Sequence, residues 1–221
     1  MPSQSDQRLS KKNIRLHCGR FLVRRLWPED ATERWASWGS DPEAVETLNT
    51  SGRSLSKNDV VNYIKTFDQI THLLAGIFEK ATQTHVGILR LDIDYRSNSG
   101  LVNLLIGEPA YRNTGVTSQV FMPTLDCAFN TLGLDTIMAS VLLRHKTLIR
   151  FMHKTGWRMD DRPRQLKSSS DGTMLEARTF KLTRQDWIAW KESDLARQVA
   201  RFSAISPLLQ AARTRRPGSE S

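Results

Sequence analysis

The chain has few cysteines and no long apolar run. Cys18 and Cys127 are the two cysteines among 221 residues. Two cysteines do not make a disulfide framework or a cysteine-based metal site, so we expect no bound metal and a reducing, cytoplasmic setting. No apolar run reaches the roughly 18 residues that suggest a membrane span, and residues 1–20 lack the apolar centre of a secretory signal. We therefore expect no membrane contact by insertion.

Acidic residues are too few to balance the basic ones, and the formal net charge is +9. The excess lies at the two ends: residues 1–25 carry +6 and residues 197–221 carry +4, which leaves residues 26–196 at −1. We interpret the ends as solvated tails. An electrostatic contact of these ends with RNA, a ribosome or a membrane surface is the alternative. Both a monomer and a homodimer are compatible with this sequence.

Apolar periodicity predicts a mixed α/β fold. Strands are predicted over 21–26, 73–80, 84–95, 101–107, 135–143 and 174–184. Helices are predicted from an Asp30 cap to Gly39, from Ser56 or Asn58 to Ile70, and over 116–131, 145–156 and 183–202. The order strand–loop–helix–strand–helix across 101–156 requires two parallel strands joined by a right-handed crossover.

The loop after the strand at 101–107 contains Arg112 and Gly115. In an open sheet, ligands bind at the carboxyl ends of strands. The first amides of the following helix have no partner within it and, with the positive end of the helix dipole, bind anions. Gly115 allows close approach of the backbone, and Arg112 offers a guanidinium to phosphate. The loop predicts a site for a phosphorylated cofactor, and a simple turn is the alternative.

Residues 101–157, which include IGEPAYRNTG and end in FMHKTGW, resemble the core of the GNAT superfamily of acyl-CoA N-acyltransferases. The cofactor loop of that family has the form Arg/Gln-x-x-Gly-x-Gly/Ala, and Arg112 and Gly115 occupy its first and fourth positions. The two quoted segments are most similar to a branch that includes ribosomal-protein, polyamine and amino-sugar acetyltransferases.

The resemblance implies a central, mostly antiparallel sheet with one splayed parallel strand pair, flanked by helices, over residues 20–183. Around this domain we expect a basic flexible segment at 1–19, a C-terminal helix at 184–206 and a disordered basic tail at 207–221.

The resemblance also implies acetyl-CoA, or a related acyl-CoA, as co-substrate. The strand at 104–106 would diverge from the strand at 136–142 and offer backbone groups to the pantetheine arm, helped by a bulge near Gly107. Backbone amides of the loop would bind the diphosphate. His145 occupies a place where the family often has an Asn. The cofactor-binding candidates are Leu104, Leu105, Ile106, Arg112, Asn113, Thr114, Gly115, Val116, Thr117 and His145.

Thr117, Pro123 and Met152 also depart from the family pattern. Thr117 replaces a small residue at the end of the loop motif. Pro123 lies inside the predicted helix and should kink it, because proline has no amide to donate. Met152 stands where the family often has a Tyr that protonates the leaving thiolate, and a thioether cannot donate a proton. Since a thiol has a pKa of about 8.5, loss of that Tyr need not abolish transfer.

The general base has no clear candidate. The family often supplies a carboxylate from the strand before the loop, but Leu101 occupies that place. Glu108 is the remaining carboxylate and our candidate base, with an exposed loop acid as the alternative. Asn103 is a candidate for orienting the amine or a water, since an amide accepts no proton at neutral pH. Such a site suits an α-amine with a pKa of about 7.7–8.0 better than a lysine-like amine near about 10.4.

A tryptophan pair and an aspartate pair each allow two interpretations. Trp35 and Trp38 are predicted to be core residues, with walls of an acceptor pocket as the alternative. Asp92 and Asp94 share one face of a strand and are predicted to face solvent, with attraction of a cationic substrate as the alternative.

We interpret the chain as an N-acetyltransferase that acts on the primary amine of a small molecule, such as an amino sugar or a biosynthetic intermediate. One alternative is acetylation of a protein N terminus, with the basic ends docking on an RNA-rich particle. Another is a catalytically weak GNAT fold that binds CoA or serves as an interaction module, which Met152 and the missing strand carboxylate favour.

Overall fold

A sheet of nine strands forms the centre of the part of the chain described by a computed structural model, residues 13–49 and 52–198. The strands are β1 Arg15–Cys18, β2 Phe21–Arg25, β3 His72–Glu79, β4 His85–Asp94, β5 Ser99–Ile106, β6 Thr136–Leu142, β7 Arg158–Met159, β8 Arg164–Lys167 and β9 Met174–Thr183. Their order is β1-β2-β3-β4-β5-β6-β9-β7, and β8 also pairs with β9. Neighbours are antiparallel except β5 and β6, which are parallel. The predicted mostly antiparallel sheet with one parallel pair is confirmed.

Helices flank this sheet, and several begin at side-chain caps. Their bounds are α1 Glu33–Ser37, α2 Pro42–Leu48, α3 Lys57–Lys65, α4 Val116–Asp126, α5 Lys146–Lys154 and α6 Arg184–Glu192. The hydroxyls of Ser56 and Thr183 accept the amides of Asp59 and Asp186 at 3.1 Å, so α3 and α6 begin at two of the predicted caps. In the described part of the chain, no helix has the length and apolar character that crossing a membrane requires.

The helix α4 continues through Pro123 into a π-helical turn at Cys127–Thr131. Although Pro123 cannot donate a hydrogen bond, the chain remains helical on both sides of it. Gly133, at φ 73°, lies just after this helical segment, where the sequence predicted its end. The predicted kink stays a prediction.

The parallel pairing of β5 and β6 stops after three residue pairs. Ser99–Leu101 pairs with Thr136–Met138. Beyond these residues, β5 keeps β4 as its partner and β6 keeps β9 as its partner. Beyond the three pairs, β5 and β6 are therefore each paired along the outer edge only. Residues 102–106 and 139–142 border a gap, and the described chain has no strand in it. The predicted divergence of these strands is confirmed.

A bulge ends β5 beside the loop. The amides of Gly107 and Glu108 both donate to the carbonyl of Val86, at 3.0 and 3.1 Å. Two residues opposite one is the pattern of a β-bulge, which bends a chain away from its strand direction. Gly107 has no room for a side chain, since a Cβ there would lie 1.9 Å from Cδ2 of Trp38. The bulge lies where the sequence predicted it.

Two hydrophobic clusters lie on opposite faces of the sheet. One includes Val120 of α4 and Trp187 of α6, and we call its side the α4 face. The other includes Ile64 of α3, and we call its side the α3 face. Trp35 and Trp38 belong to this second cluster and are buried, so they are core residues as predicted.

Successive strand residues alternate between these faces, as the pleat requires. On β5, Leu104 packs against the cluster of the α4 face and Leu105 against that of the α3 face. The same alternation separates Leu89 from Ile88 on β4. Directly opposed residues of neighbouring strands share a face, so the register decides which side chains meet.

The N-terminal region differs from the prediction in two places. Arg15–Cys18 lies within the predicted flexible segment 1–19 but forms β1, which pairs with β2. Asp30 was predicted to cap a helix, yet α1 is capped by Thr32, whose hydroxyl accepts the Trp35 amide at 3.1 Å. Asp30 instead accepts two hydrogen bonds from Arg24, at 2.6 and 2.8 Å.

The structure also contains elements that the sequence did not predict: α2, β7 and β8. In addition, α6 is shorter than the predicted helix, because Ser193 has an extended backbone and its hydroxyl accepts the amide of Ala196. Helical structure resumes at 194–198. The predictions for residues 1–12, the rest of the C-terminal helix and the tail at 207–221 lie outside the described residues.

His85, the first residue of β4, is enclosed by aromatic rings. Its ring centroid lies 4.6 Å from that of Phe78, 5.0 Å from Trp38 and 5.2 Å from Trp35. Burial lowers the pKa of His85 to about 4, with Asp30 and Glu108 opposing the shift and Arg24 adding to it. The folded protein therefore holds this imidazole neutral.

The buried ring nitrogens of His85 predict a loss of stability in mild acid. Between pH about 6.5 and about 4 the unfolded chain binds a proton that the folded chain does not, so the free energy of unfolding should fall by about 3 kcal/mol. His85→Phe should remove this part of the pH dependence. Urea unfolding at pH 7 and pH 4 measures it. An equal decrease for both proteins would contradict the assignment to His85.

Candidate active site

A cavity of about 630 Å³ fills the gap between β5 and β6. Residues of β5, β6, the loop before α4 and the first turn of α4 line it. So do Thr147, Leu148, Phe151 and Met152 of α5, and Tyr63, Ile88 and Arg90 from the side of the α3 face. The cavity therefore joins the N terminus of α4 to the α3 face through the splayed sheet.

The loop before α4 turns at two left-handed residues, Asn113 at φ 58° and Gly115 at φ 83°. Gly115 is the N-cap of α4, and no side chain caps this helix by a hydrogen bond. The first turn of α4 contains no acidic residue. The amide of Gln119 makes the first helical bond, to the carbonyl of Gly115 at 3.1 Å, so the amides of 116–118 have no acceptor within the helix. Such amides suit an anion, and binding of a diphosphate there stays a prediction.

The side chain of Arg112 binds other parts of the chain. Its Nη1 lies 2.6 Å from Asp41 and 3.1 Å from Glu43, at the start of α2. Its Nε and Nη2 donate to the carbonyls of Ile106 and Gly107 at 3.1 and 3.0 Å. Arg112 thereby ties the end of β5 to α2. The predicted contact of this guanidinium with a phosphate would require it to leave these partners.

The two threonines of the loop motif have different surroundings. Thr114 is buried, and its hydroxyl donates to the carbonyl of Tyr111 at 2.7 Å and accepts from Arg20 at 3.4 Å. Thr117 lines the cavity in the first turn of α4. The residue that departs from the family pattern is therefore the one on the cavity side.

The predicted residues of β5 present a strand edge to the cavity. Residues 104–106 pair with β4 on one side and line the cavity on the other. In an antiparallel pair, backbone groups alternate between the two edges of a strand, so every second amide and carbonyl of this segment faces the gap. An extended ligand with amide groups can pair with such an edge as an added strand does.

Glu108 lies next to the loop but is not among the residues that line the cavity. Its carboxylate accepts hydrogen bonds from Arg34 at 2.6 and 2.8 Å and from Trp38 at 3.0 Å. The bond from Arg34 is the main cause of a lowered pKa of Glu108. The side chain is 12% exposed, so the interpretation as an exposed loop acid is wrong. A lowered pKa disfavours Glu108 as a general base, because the carboxylate accepts a proton less readily.

Asn103, His145 and Met152 all line the cavity. Asn103 lies on β5 opposite Arg90, with its side chain exposed. Burial lowers the pKa of His145, at the N-cap of α5, so its imidazole is neutral at pH 7. Met152 is buried on the same helix and has no proton to donate.

Sequence reasoning missed Tyr63, Arg90 and Ser140, which also line the cavity. They come from α3, β4 and β6, and only the order and register of the strands bring them together. The one local signal was Arg90, a charged residue within an apolar strand pattern. A charged residue there predicts that this face of the strand is not fully buried. It does not predict which residues of other elements lie near it.

A family model described as an acetyltransferase (GNAT) domain matches residues 20–158. The matched range contains the splayed strands, the loop and α4. The chain belongs to the GNAT acetyltransferase family. Acetyl-CoA is accordingly the co-substrate that the family implies for the cavity. No curated protein sequence matches the chain.

Solved structures share this GNAT fold at low sequence identity. A GNAT-family acetyltransferase from Bacillus anthracis is 16% identical, with a TM-score of 0.64 over 78% of this chain and 99% of that chain. The ribosomal-protein-S5-alanine acetyltransferase of Vibrio fischeri is 13% identical, with a TM-score of 0.63 over 79% and 99%. The spermidine N-acetyltransferase of Vibrio cholerae, in complex with CoA and spermine, is 14% identical, with a TM-score of 0.67 over 76% and 98%. At these sequence identities, the similarity supports a shared fold and nothing beyond it.

Neither a metal site nor a reactive thiol is evident in the described part of the GNAT domain. No group of three or more His, Cys, Asp or Glu side chains there could hold a metal ion. Burial raises the pKa of Cys18 to about 12 and also raises the pKa of Cys127. Both thiols are therefore protonated at neutral pH.

The left-handed N-cap predicts a binding defect for Gly115→Ala. A Cβ there would come between the helix amides and a diphosphate, so we expect acetyl-CoA affinity to fall by about tenfold or more. Gly133→Ala is the matched control, because Gly133 is also left-handed and a Cβ there meets nothing within 4 Å.

Both substitutions should cost about 1–2 kcal/mol of stability through the same backbone strain. Calorimetric titration measures the affinity, and thermal unfolding measures the stability. Equal acetyl-CoA affinity in the two variants would show that Gly115 has no special role.

Proposed function

We propose that this GNAT domain transfers an acetyl group from acetyl-CoA to the primary amine of a small molecule, such as an amino sugar or a biosynthetic intermediate. The cavity between β5 and β6 is the observation that supports this most. It has the uncapped N terminus of α4 at one end and opens among polar side chains of the α3 face at the other. A co-substrate and an acceptor can thus approach each other from opposite faces of the sheet.

The residues present fit the proposed co-substrate. The amides of 116–118 and the left-handed turn at Asn113 and Gly115 suit a diphosphate. The free edge of 104–106 suits the amides of a pantetheine arm. Apolar side chains of Leu148 and Phe151 cover the cavity from α5.

Bound acetyl-CoA would supply the acyl group as a thioester. In the transfer, the amine nitrogen bonds to the carbonyl carbon, the carbon–sulfur bond breaks, and the amine loses one proton. The chain holds the amine at the gap, where Asn103 and Ser140 offer hydrogen-bonding groups. Met152 cannot protonate the departing sulfur, which leaves as a thiolate or takes a proton from water.

The described cavity also has no unpaired carboxylate for removing a proton from the amine. Of the residues that line it, Glu43 is the single carboxylate, and it is paired with Arg112. The neutral imidazole of His145 is an available acceptor, but its lowered pKa makes it a weak one. This favours acceptors whose amine is already partly deprotonated at neutral pH.

Acetylation of a protein N terminus is the second candidate. An α-amine has a pKa of about 7.7–8.0, which fits a cavity without a strong base. The opening on the α3 face and the fold shared with the ribosomal-protein-S5-alanine acetyltransferase favour this candidate.

Calorimetry and a thiol assay test the proposal together. We expect acetyl-CoA to bind the wild-type chain and free CoA thiol to be released with at least one member of a panel of amino sugars, amino acids and N-terminal peptides. Gly133→Ala should behave like the wild type in both assays. No binding of acetyl-CoA would refute the proposal. Binding without release for any amine would favour an interaction module.

The lack of an unpaired carboxylate on the described cavity wall predicts a pH profile that depends on the acceptor. Because the free amine is the reacting form, kcat/KM should rise with an apparent pKa near that of the acceptor amine. Two acceptors whose amine pKa values differ by about 2 units should give profiles displaced by a similar amount. The same apparent pKa for both would indicate a base in the protein.

A further inference from the structure

The side of the cavity on the α3 face carries one prominent charge, Arg90. Arg90 of β4 lies directly opposite Asn103 of β5, and directly opposed residues share a face of the sheet. The next pair on this face is Ile88 with Leu105, both packed against the cluster of the α3 face. Arg90 and Asn103 therefore stand together where an acceptor would enter the cavity.

Other charges on the cavity wall are already balanced within it. Among the described residues that line the cavity, Glu43, Arg90 and Arg112 have charged side chains. Glu43 and Arg112 form an ion pair at 3.1 Å. The carboxylate partner of Arg90 is Asp92, which is outside the lining. The acceptor side of the cavity thus presents a cation.

Asp92 holds the guanidinium by one edge. Nε of Arg90 lies 3.0 Å from Oδ1 and Nη2 lies 2.7 Å from Oδ2, while Nδ1 of His72 lies 2.9 Å from Oδ1. Asp92 was predicted to face solvent with Asp94, but these contacts leave its side chain only 17% exposed. The side chain of Arg90 is 41% exposed.

The guanidinium of Arg90 also forms a hydrogen bond with the hydroxyl of Tyr63, which lines the cavity as well. Because a guanidinium has five donors in a fixed plane, Asp92 and Tyr63 together leave donors for an acceptor. The hydrogen bond to Asp92 also raises the pKa of Arg90, so the group stays charged. The ring of Phe67 lies 5.6 Å from the guanidinium carbon and limits its movement. A fixed, charged fork of this kind is suited to a carboxylate or a phosphate.

We propose that Arg90 determines acceptor specificity by binding an anionic group, a carboxylate or a phosphate, that the acceptor carries near its amine. The inference rests on the proposed acetyl transfer and narrows its substrate class. Polyamines are disfavoured, because a second ammonium group would lie beside Arg90 with no unpaired carboxylate on the described cavity wall to balance it. The chain would then differ in acceptor from the polyamine enzyme that shares its fold.

Matched acceptor pairs test the proposal. Glucosamine 6-phosphate with glucosamine examines the phosphate, and alanine with alaninol examines the carboxylate, since the amines of each pair differ little in basicity. Spermidine is the polycationic probe. Calorimetry measures binding of each compound to the CoA-saturated chain, and thiol release gives KM and kcat with acetyl-CoA.

We expect the wild type to prefer the anionic member of at least one pair by about tenfold or more, the usual value of a charge-assisted hydrogen bond. Arg90→Gln should abolish the preference by raising KM for the anionic acceptor, without changing acetyl-CoA affinity. Arg96→Gln removes the same charge from an exposed turn outside the cavity and should keep the preference.

Equal binding of both members of each pair by the wild type, or an unchanged preference in Arg90→Gln, would overturn the proposal. If Arg90→Gln fails to fold, Arg90→Lys is the second variant. It keeps the charge beside Asp92 but loses the second edge of the guanidinium, so it should weaken the preference. An undiminished preference in Arg90→Lys would count against the proposal. Because calorimetry detects the preference without turnover, absence of thiol release would count against the proposed acetyl transfer alone.

Discussion

Hydrogen bonding between β5 and β6 ends after three residue pairs. The cavity exists because the two strands are not paired beyond that point. Each strand keeps its outer partner, β4 or β9, so the sheet remains anchored on both sides of the gap. The loss of ladder bonds along 102–106 and 139–142 leaves polar backbone edges that a bound ligand can satisfy. A fully paired sheet would have no passage between its faces and no free strand edge beside the N terminus of α4.

The loop and its helix are oriented by contacts from the opposite face. The shared carbonyl of Val86 bends the chain at Gly107, and Trp38 occupies the space that a side chain there would need. Arg112 then connects the end of β5 to Asp41 at the start of α2. Packing on the α3 face therefore helps to position the amides on the α4 face.

Charge distribution separates the two parts of the cavity. The first turn of α4 offers amides and contains no acidic residue, whereas Arg90 lies on the side of the cavity on the α3 face. Glu108, which precedes the loop in the sequence, accepts hydrogen bonds from Arg34 and Trp38, and its pKa is lowered. The described wall of the cavity thus has few groups that attract a polycation and few that remove a proton.

Local sequence determined much of the fold. Alternation predicted the central strands, the caps at Ser56 and Thr183 predicted two helix starts, and Gly133 predicted a helix end, because these signals act through neighbouring residues. The loop around Gly115 also predicted an anion-binding helix end, since its amides depend on nothing distant. The short helix α2 escaped prediction because seven residues give too little periodicity.

Tertiary structure decided which side chains meet. Arg112 finds Asp41, 71 residues away, and Arg34 finds Glu108, 74 residues away. The pairing of Arg90 with Asn103 depends on strand register, and a shift of one residue would move Arg90 to the other face. The sequence alone therefore determined a GNAT-type sheet and predicted a helix end that suits an anion. Only the tertiary structure decided the hydrogen bonds of Glu108 and the placement of Arg90, because both arise from contacts between distant segments.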